Sequence, residues 1–188
     1  SLTIPFHTFY NIVNNTVHDR INLERVDNNF IFKTDNYEAR IQGVHEDEFP
    51  IIPKIENMEN YIEIDPVILK EALYKVVSAA QISDIRPEIS GVLFDFQITI
   101  LKLVATDSFR LAEKTLHSNQ FKHNFEKGFK VIIPLKTVQE LIRIFPNNQT
   151  VQICFDNNQI LFKNSDVEVI SRLIDGSYPD YEPIIPKA

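Results

Sequence analysis

The stretch VIIPLKTVQELIRIFPNNQTVQICFDNNQILFKNSDVEVISRLIDGSYPDYEPIIP, residues 131–186, is written in outline a second time near the start of the chain. A short apolar run, Val131-Ile132-Ile133, stops at Pro134, and a helical segment follows. Two alternating strands then flank Asp156-Asn157-Asn158, and a third leads to Tyr178-Pro179 and Ile184-Ile185-Pro186. Residues 3–53 carry the same marks in the same order: Thr3-Ile4-Pro5, a helical segment, Asp27-Asn28-Asn29, Phe49-Pro50 and Ile51-Ile52-Pro53. Pro134, Asp156 and Pro179 each lie 129 residues after their counterparts, and Lys163 lies 130 after Lys33. A self-match at fixed period is the mark of stacked supersecondary units.

A third copy lies between these two. Ile64-Asp65-Pro66 followed by Leu69, Ala72 and Leu73 aligns with Ile132-Ile133-Pro134 and its helix at an offset of 68. The repeating unit is therefore strand, helix and three strands. The reading predicts an α+β fold with helices on one side and antiparallel sheets on the other. Helices are expected over Pro5–Asn14, Pro66–Ala80 and Leu135–Phe145. Asp65-Pro66 is the strongest start, an N-cap followed by proline at the first helical position. In the first helix Phe6, Phe9, Tyr10 and Val13 fall on one face, and His7, Asn11 and Asn14 on the other. In the second, Leu69, Ala72, Leu73, Val76 and Ala80 oppose Lys70, Glu71, Tyr74, Lys75 and Ser78. In the third, Val138, Leu141, Ile142 and Phe145 face inward, while Lys136 and Arg143, seven apart, share the outer face. Residues 37–43, 61–64, 89–96, 98–105 and 110–116 read as strands, and 121–128 as a polar loop. Residues 54–60 have the composition of a linker, which puts the module boundary between residues 56 and 57.

Composition excludes more than it assigns. The four glycines are too scattered for a phosphate-binding loop or dinucleotide fingerprint. No Cys–His spacing suits a metal, and the acidic run His45-Glu46-Asp47-Glu48 lacks a second histidine at helical spacing. No glycine-flanked serine marks a nucleophile. Neither an enzymatic centre nor a cofactor is expected. The single Cys154 excludes an internal disulfide, and no apolar run reaches the roughly 20 residues of a membrane span. A cytoplasmic location is expected. The net charge of −7 argues against a coat of positive charge, but leaves room for one restricted basic face.

Four further stretches complete the reading: Gly91-Val92-Leu93-Phe94, Leu103 to Ala112 (LVATDSFRLA), Val131-Ile132-Ile133-Pro134 and Leu173 to Tyr181 (LIDGSYPDY). In combination they resemble the bacterial DNA polymerase III beta subunit, the replicative sliding clamp. The resemblance runs over the whole chain. Residues 1–56 resemble the second half of the family's first domain, and 57–188 its complete second domain, so a fragment is expected. The family's clamp is a ring-forming homodimer of three-domain subunits, helices inside and sheets outside. It encircles duplex DNA without sequence preference and acts as the non-catalytic processivity factor of the polymerase.

Two sites are implied by that resemblance. The outward helix residues Lys70, Tyr74, Lys75, Ser78, Lys136 and Arg143 would face DNA. The first helix offers no Lys or Arg there. Arg86, Ile89, Thr106, Ser108, Phe109, Arg110 and Leu111 would form one wall of the pocket that takes short peptides of polymerase and clamp loader. The rest of that pocket belongs to the family's third domain, so the site is expected to be half-formed. Ser108 and Phe109 stand where many members carry Gly and His. The rival reading is a protein-interaction scaffold on the same repeat that no longer binds DNA, favoured by the acidity and the uncharged first helix.

Overall fold

The computed structural model describes residues 1–17, 20–51, 54–55 and 58–186. The chain divides into two compact units, Ser1–Ile52 and Pro53–Ala188. The expected boundary between residues 56 and 57, like the Ile52-Pro53 end of the first repeat, lies outside the described residues.

The first unit runs β1 (Leu2–Thr3), α1 (Phe6–Asn14), β2 (Asn22–Val26), β3 (Asn29–Lys33), β4 (Glu38–Gln42) and β5 (Val44–His45). Strands β2, β3 and β4 form an antiparallel meander, and β1 pairs with β5. The β2–β3 turn is tight because Asp27 adopts φ 53°, a conformation Asp tolerates better than most residues. Ile31, Phe32 and Ile41 are buried, and the Phe9 ring meets Phe30 edge-on at 5.4 Å. The expected inner face of α1 is only partly realised. Phe9 and Ile12 are half-buried, whereas Phe6, Tyr10 and Val13 are exposed.

The second unit holds two copies of the repeat. The first is β6 (Ile62–Ile64), α2 (Pro66–Val77), β7 (Gly91–Phe96), β8 (Ile100–Thr106) and β9 (Leu111–His117). A short strand β10 (Phe121–His123) precedes the second copy: β11 (Phe129–Pro134), α3 (Leu135–Ile144), β12 (Val151–Phe155), β13 (Gln159–Lys163) and β14 (Glu168–Arg172). The two copies exchange their first strands. One sheet has the order β10-β6-β12-β13-β14, the other β11-β7-β8-β9. Thus β6 extends the meander of the second copy, and β11 that of the first. Gly91 permits the latter, because a Cβ there would run into the Ile133 carbonyl oxygen.

Asp65 caps α2 as expected, its Oδ1 accepting from the Val67 N–H at 2.7 Å. Lys70, at the start of α2, donates to Asn147 Oδ1, just past the end of α3, so the two helices run antiparallel. Leu69, Ala72, Leu73 and Val76 of α2 and Val138, Leu141 and Phe145 beyond them share one core with Phe94, Leu103, Ile153 and Phe162 of the two sheets. Both helices lie on the same side of the sheets' core faces.

One expectation is corrected. Residues 121–128 are not all loop, since β10 pairs with β6, placing Phe121 opposite Ile64. The outer sheet faces are partly covered. Leu93, Val104 and Ile132 form a second cluster with Tyr181, backed by Ile174 and Tyr178, so the C-terminal segment covers the four-stranded sheet. On the five-stranded sheet the Lys163 ammonium meets Met58 Sδ at 3.3 Å, which lays the entering segment along its outer face.

The repeat persists in individual hydrogen bonds. Gly43 N–H donates to Asn28 O at 2.8 Å, and Leu173 N–H to Asn158 O at 2.8 Å. The β1–β5 pairing of Thr3 with Val44 returns as Ile174 N–H donating to Ile132 O at 2.9 Å. These bonds set the strands 130 residues apart and the preceding strand and helix 129 apart. Asn28 therefore corresponds to Asn158, and the Asp27/Asp156 match is one residue out of structural register.

Candidate nucleic-acid interface and peptide site

The outward face of the α2–α3 pair carries the first set of expected residues. Tyr74 is 71% exposed, and Lys75, Ser78, Lys136 and Arg143 are also exposed. Lys70 is half-buried. Local pairing divides the cations. Lys75 Nζ lies 2.6 Å from Glu71 Oε1, one helical turn back, and this bond holds the Glu71 carboxyl below its ordinary range. Arg143 Nη2 lies 2.6 Å from Glu140 Oε2, which raises the guanidinium's already high pKa. Lys70 and Lys136 make no ion pair among the described residues. The face thus offers two uncompensated ammonium groups beside two neutralised pairs.

The second set gathers at two neighbouring loops. Between β8 and β9, Thr106 Oγ1 donates to Arg110 O at 2.7 Å and accepts from the Ser108 N–H at 3.1 Å. Asp107 Oδ1 accepts from the N–H groups of Phe109 (2.9 Å) and Arg110 (2.7 Å), while its Oδ2 lies 2.7 Å from Arg110 Nη2. The Arg110 backbone and side-chain donors, with the Phe109 N–H, hold the Asp107 carboxyl down to about 2. Ser108 takes φ 76°, closing the turn and leaving Phe109 95% exposed at its tip.

Arg86 ties the preceding loop to this one. Its Nη1 donates to Ser108 Oγ at 2.9 Å and its Nε to Glu88 Oε1 at 3.3 Å. The loop is braced from behind by Ser83 and Ser90, each bonded to the other across it at 2.8 and 3.0 Å. Ile89 is buried and Leu111 half-buried, so their apolar surface backs the loops rather than lying open. The open apolar groups are instead Phe109 and Ile85, the latter 92% exposed. The seven expected residues are brought into one region, although they form a floor and rim, not a closed pocket.

The sequence reading gave the C-terminal segment, Leu173 to Tyr181, no place at this site. Leu111 and Tyr178 pack on one apolar cluster, and Tyr178 Oη donates to Val104 O at 3.4 Å. Burial pushes the Tyr178 hydroxyl up to about 12. Gly176, at φ 139°, passes so close to Glu88 that a Cβ would lie 3.4 Å from the Glu88 Cβ. Two tyrosines flanking Pro179 in a polar tail were the available signal. A cleft of about 810 Å³ lies beneath this segment, between Lys130, Asn157 and Asp175, and none of the seven expected residues lines it. Among the described residues no cluster of His, Cys, Asp or Glu could hold a metal ion.

Known proteins share this architecture. The profile of the DNA polymerase III beta subunit, central domain, matches residues 63–180. The beta sliding clamp of Bacillus subtilis is 35% identical over 158 residues, covering 84% of this chain and 41% of that protein. The crystal structure of the Bacillus subtilis sliding clamp superposes with a TM-score of 0.89 at 30% identity, over 100% of this chain and 49% of that one. The Helicobacter pylori beta clamp, solved bound to a DNA ligase peptide, gives 0.86 at 26% identity, over 100% and 52%. The chain spans about half the length of the curated relatives it matches.

Proposed function

Because the chain belongs to the DNA polymerase III beta subunit family, we propose that it serves as part of a sliding clamp, a non-catalytic processivity factor that holds replication proteins on duplex DNA. The observation that carries this reading is the α2–α3 face. Both helices turn their buried side to the sheets, and Lys70 and Lys136 stand on the opposite side without a carboxylate partner. Two ammonium groups without a carboxylate partner suit weak, sequence-independent contact with phosphates, which lets a protein slide. Tyr74, Lys75, Ser78 and Arg143 complete the face in this proposal. The acidity of the rest of the chain then confines the attraction to this side.

The loops at Arg86 and Thr106–Leu111 are the peptide-docking wall in the same reading, for polymerase and clamp-loader peptides. Exposed Phe109 and Ile85 beside two guanidinium groups suit a short segment with apolar anchors and acidic flanks. A cytoplasmic site of action and a ring-forming homodimer of the whole protein belong to this proposal.

Fluorescence anisotropy with a short labelled duplex tests it. Dissociation constants are expected in the roughly 10⁻⁴–10⁻⁶ M range of nonspecific binding, equal for unrelated sequences. Nanomolar or sequence-selective binding would overturn the reading. Absence of any salt-sensitive binding would favour the scaffold, which the two neutralised pairs on the face also support.

A further inference from the structure

The two guanidinium groups at the docking wall are not equivalent. Arg110 places Nε and Nη2 at 3.0 and 2.7 Å from the same oxygen of Asp107. That carboxylate also accepts from the backbone N–H groups of Phe109 and Arg110, so Arg110 is engaged in closing its own turn. Arg86 is held more loosely by charge and more firmly by geometry. Its Nε lies a long 3.3 Å from Glu88 Oε1, and its Nη1 donates to Ser108 Oγ at 2.9 Å. Its Nη2 has no acceptor among the described residues, and the side chain is 47% exposed. Donors therefore remain for an incoming acceptor.

Ser108 takes φ 76°, a region that a residue with a Cβ enters at a cost and glycine enters freely. A turn needing only this backbone would be better served by glycine. Serine adds the Oγ that accepts from Arg86 across two loops, 22 positions apart. Ile85 and Phe109 each adjoin one of the two bonded residues in sequence. They are the most exposed large apolar residues of the second unit, at 92% and 95%. We propose that Ser108 is a positioning residue of this wall, fixing the Arg86 guanidinium so that Arg86, and not Arg110, binds the acidic flank of a docked peptide. The proposal rests on the peptide-docking reading and adds to it the group that recognises the charge. A guanidinium already tied at one nitrogen loses less freedom on meeting a carboxylate than one that is untethered. Glu88 is a weak competitor, because an exposed pair at that distance contributes little.

Two variants separate the hydroxyl from the backbone. Glycine and asparagine both tolerate φ near 76°, but only Ser108→Asn presents Arg86 with an oxygen. NMR of the full chain reads two quantities. Nitrogen relaxation of the Arg86 Nε–H should report a restrained group in the parent and in Ser108→Asn, and a mobile one in Ser108→Gly. The second quantity is affinity for a capped hexapeptide with two leucines between pairs of glutamates, against its all-glutamine isostere. The chain's net charge of −7 opposes acidic ligands as a class, so a preference for glutamate has to arise locally. The parent should bind the glutamate peptide about threefold or more tighter, and Arg86→Gln and Ser108→Gly should each bring that ratio to about one. Ser108→Asn should restore it. A preference that survives Ser108→Gly, or an Arg86 Nε–H no more mobile there than in the parent, overturns the proposal. A parent that binds both peptides equally also overturns it, while leaving docking itself intact. A parent that binds neither refutes the docking wall and the ligand assigned here together.

Discussion

The pairing pattern on the α2–α3 face makes DNA affinity quantitatively predictable through its salt dependence. Each phosphate neutralised contributes a slope of about −0.9 to log K against log salt. With Lys70 and Lys136 unpaired with any carboxylate among the described residues, the parent should show a slope near −2. Its affinity should fall about 12-fold between roughly 50 and 200 mM salt. Lys75 and Arg143 are held at 2.6 Å by Glu71 and Glu140, so in the parent they contribute little. Replacing both ammonium groups, Lys70→Ala with Lys136→Ala, should bring the slope close to zero. The opposite change, Glu71→Gln with Glu140→Gln, frees two cations and should steepen it to about −4, with tighter binding at low salt. All four side chains of the two pairs are surface groups, so the fold should be indifferent to these changes. Anisotropy titrations at several salt concentrations read the slope directly. If the lysine variant keeps the parent's slope, or the glutamine variant fails to steepen it, phosphates do not bind on this face.

Two further outcomes follow from the second unit. Phe162→Ala should cost about 3–5 kcal/mol, because Phe162 is fully buried in the core shared by both sheets and both helices; urea denaturation measures this, and a loss below about 1 kcal/mol would mean the site collapses freely. The β8–β9 loop should survive mild acid. Asp107 is depressed from an ordinary 3.8 to about 2, so its stabilisation is complete above pH 3.8 and is lost as pH falls through about 2. An NMR titration of the Phe109 and Arg110 amides should therefore find a midpoint near 2, and a midpoint near 4 would contradict the bonding described.

Strong local signals carried much of this structure into the sequence. Asp65-Pro66 starts α2, and the alternation of Val151, Ile153 and Phe155 defines β12. The spacings of Glu71 to Lys75 and of Glu140 to Arg143 carry the neutralising pairs in the sequence as well, because charges four and three residues apart meet on one helix face. Strand β10 escaped because three residues in a polar stretch carry no period of their own; pairing with β6, 57 positions earlier at the Phe121–Ile64 register, creates it. The covered outer face was announced by Gly91 to Phe96, every residue of which is buried. The apolar run Gly91 to Phe94 points to burial on both sides, although Asp95 interrupts it, and the identity of the cover was hidden. For α1, periodicity named the apolar residues correctly. It could not say which of them this chain covers.

The exchange of first strands in the second unit also governs how that unit comes into being. Ile62 finds Ile153 and Ile64 finds Val151, 91 and 87 positions apart, so the five-stranded sheet cannot close until nearly the whole unit has left the ribosome. Contacts so distant in sequence slow the search and bind the halves into one kinetic event. Until then β6 has only β10 to pair with, and its other edge stays open.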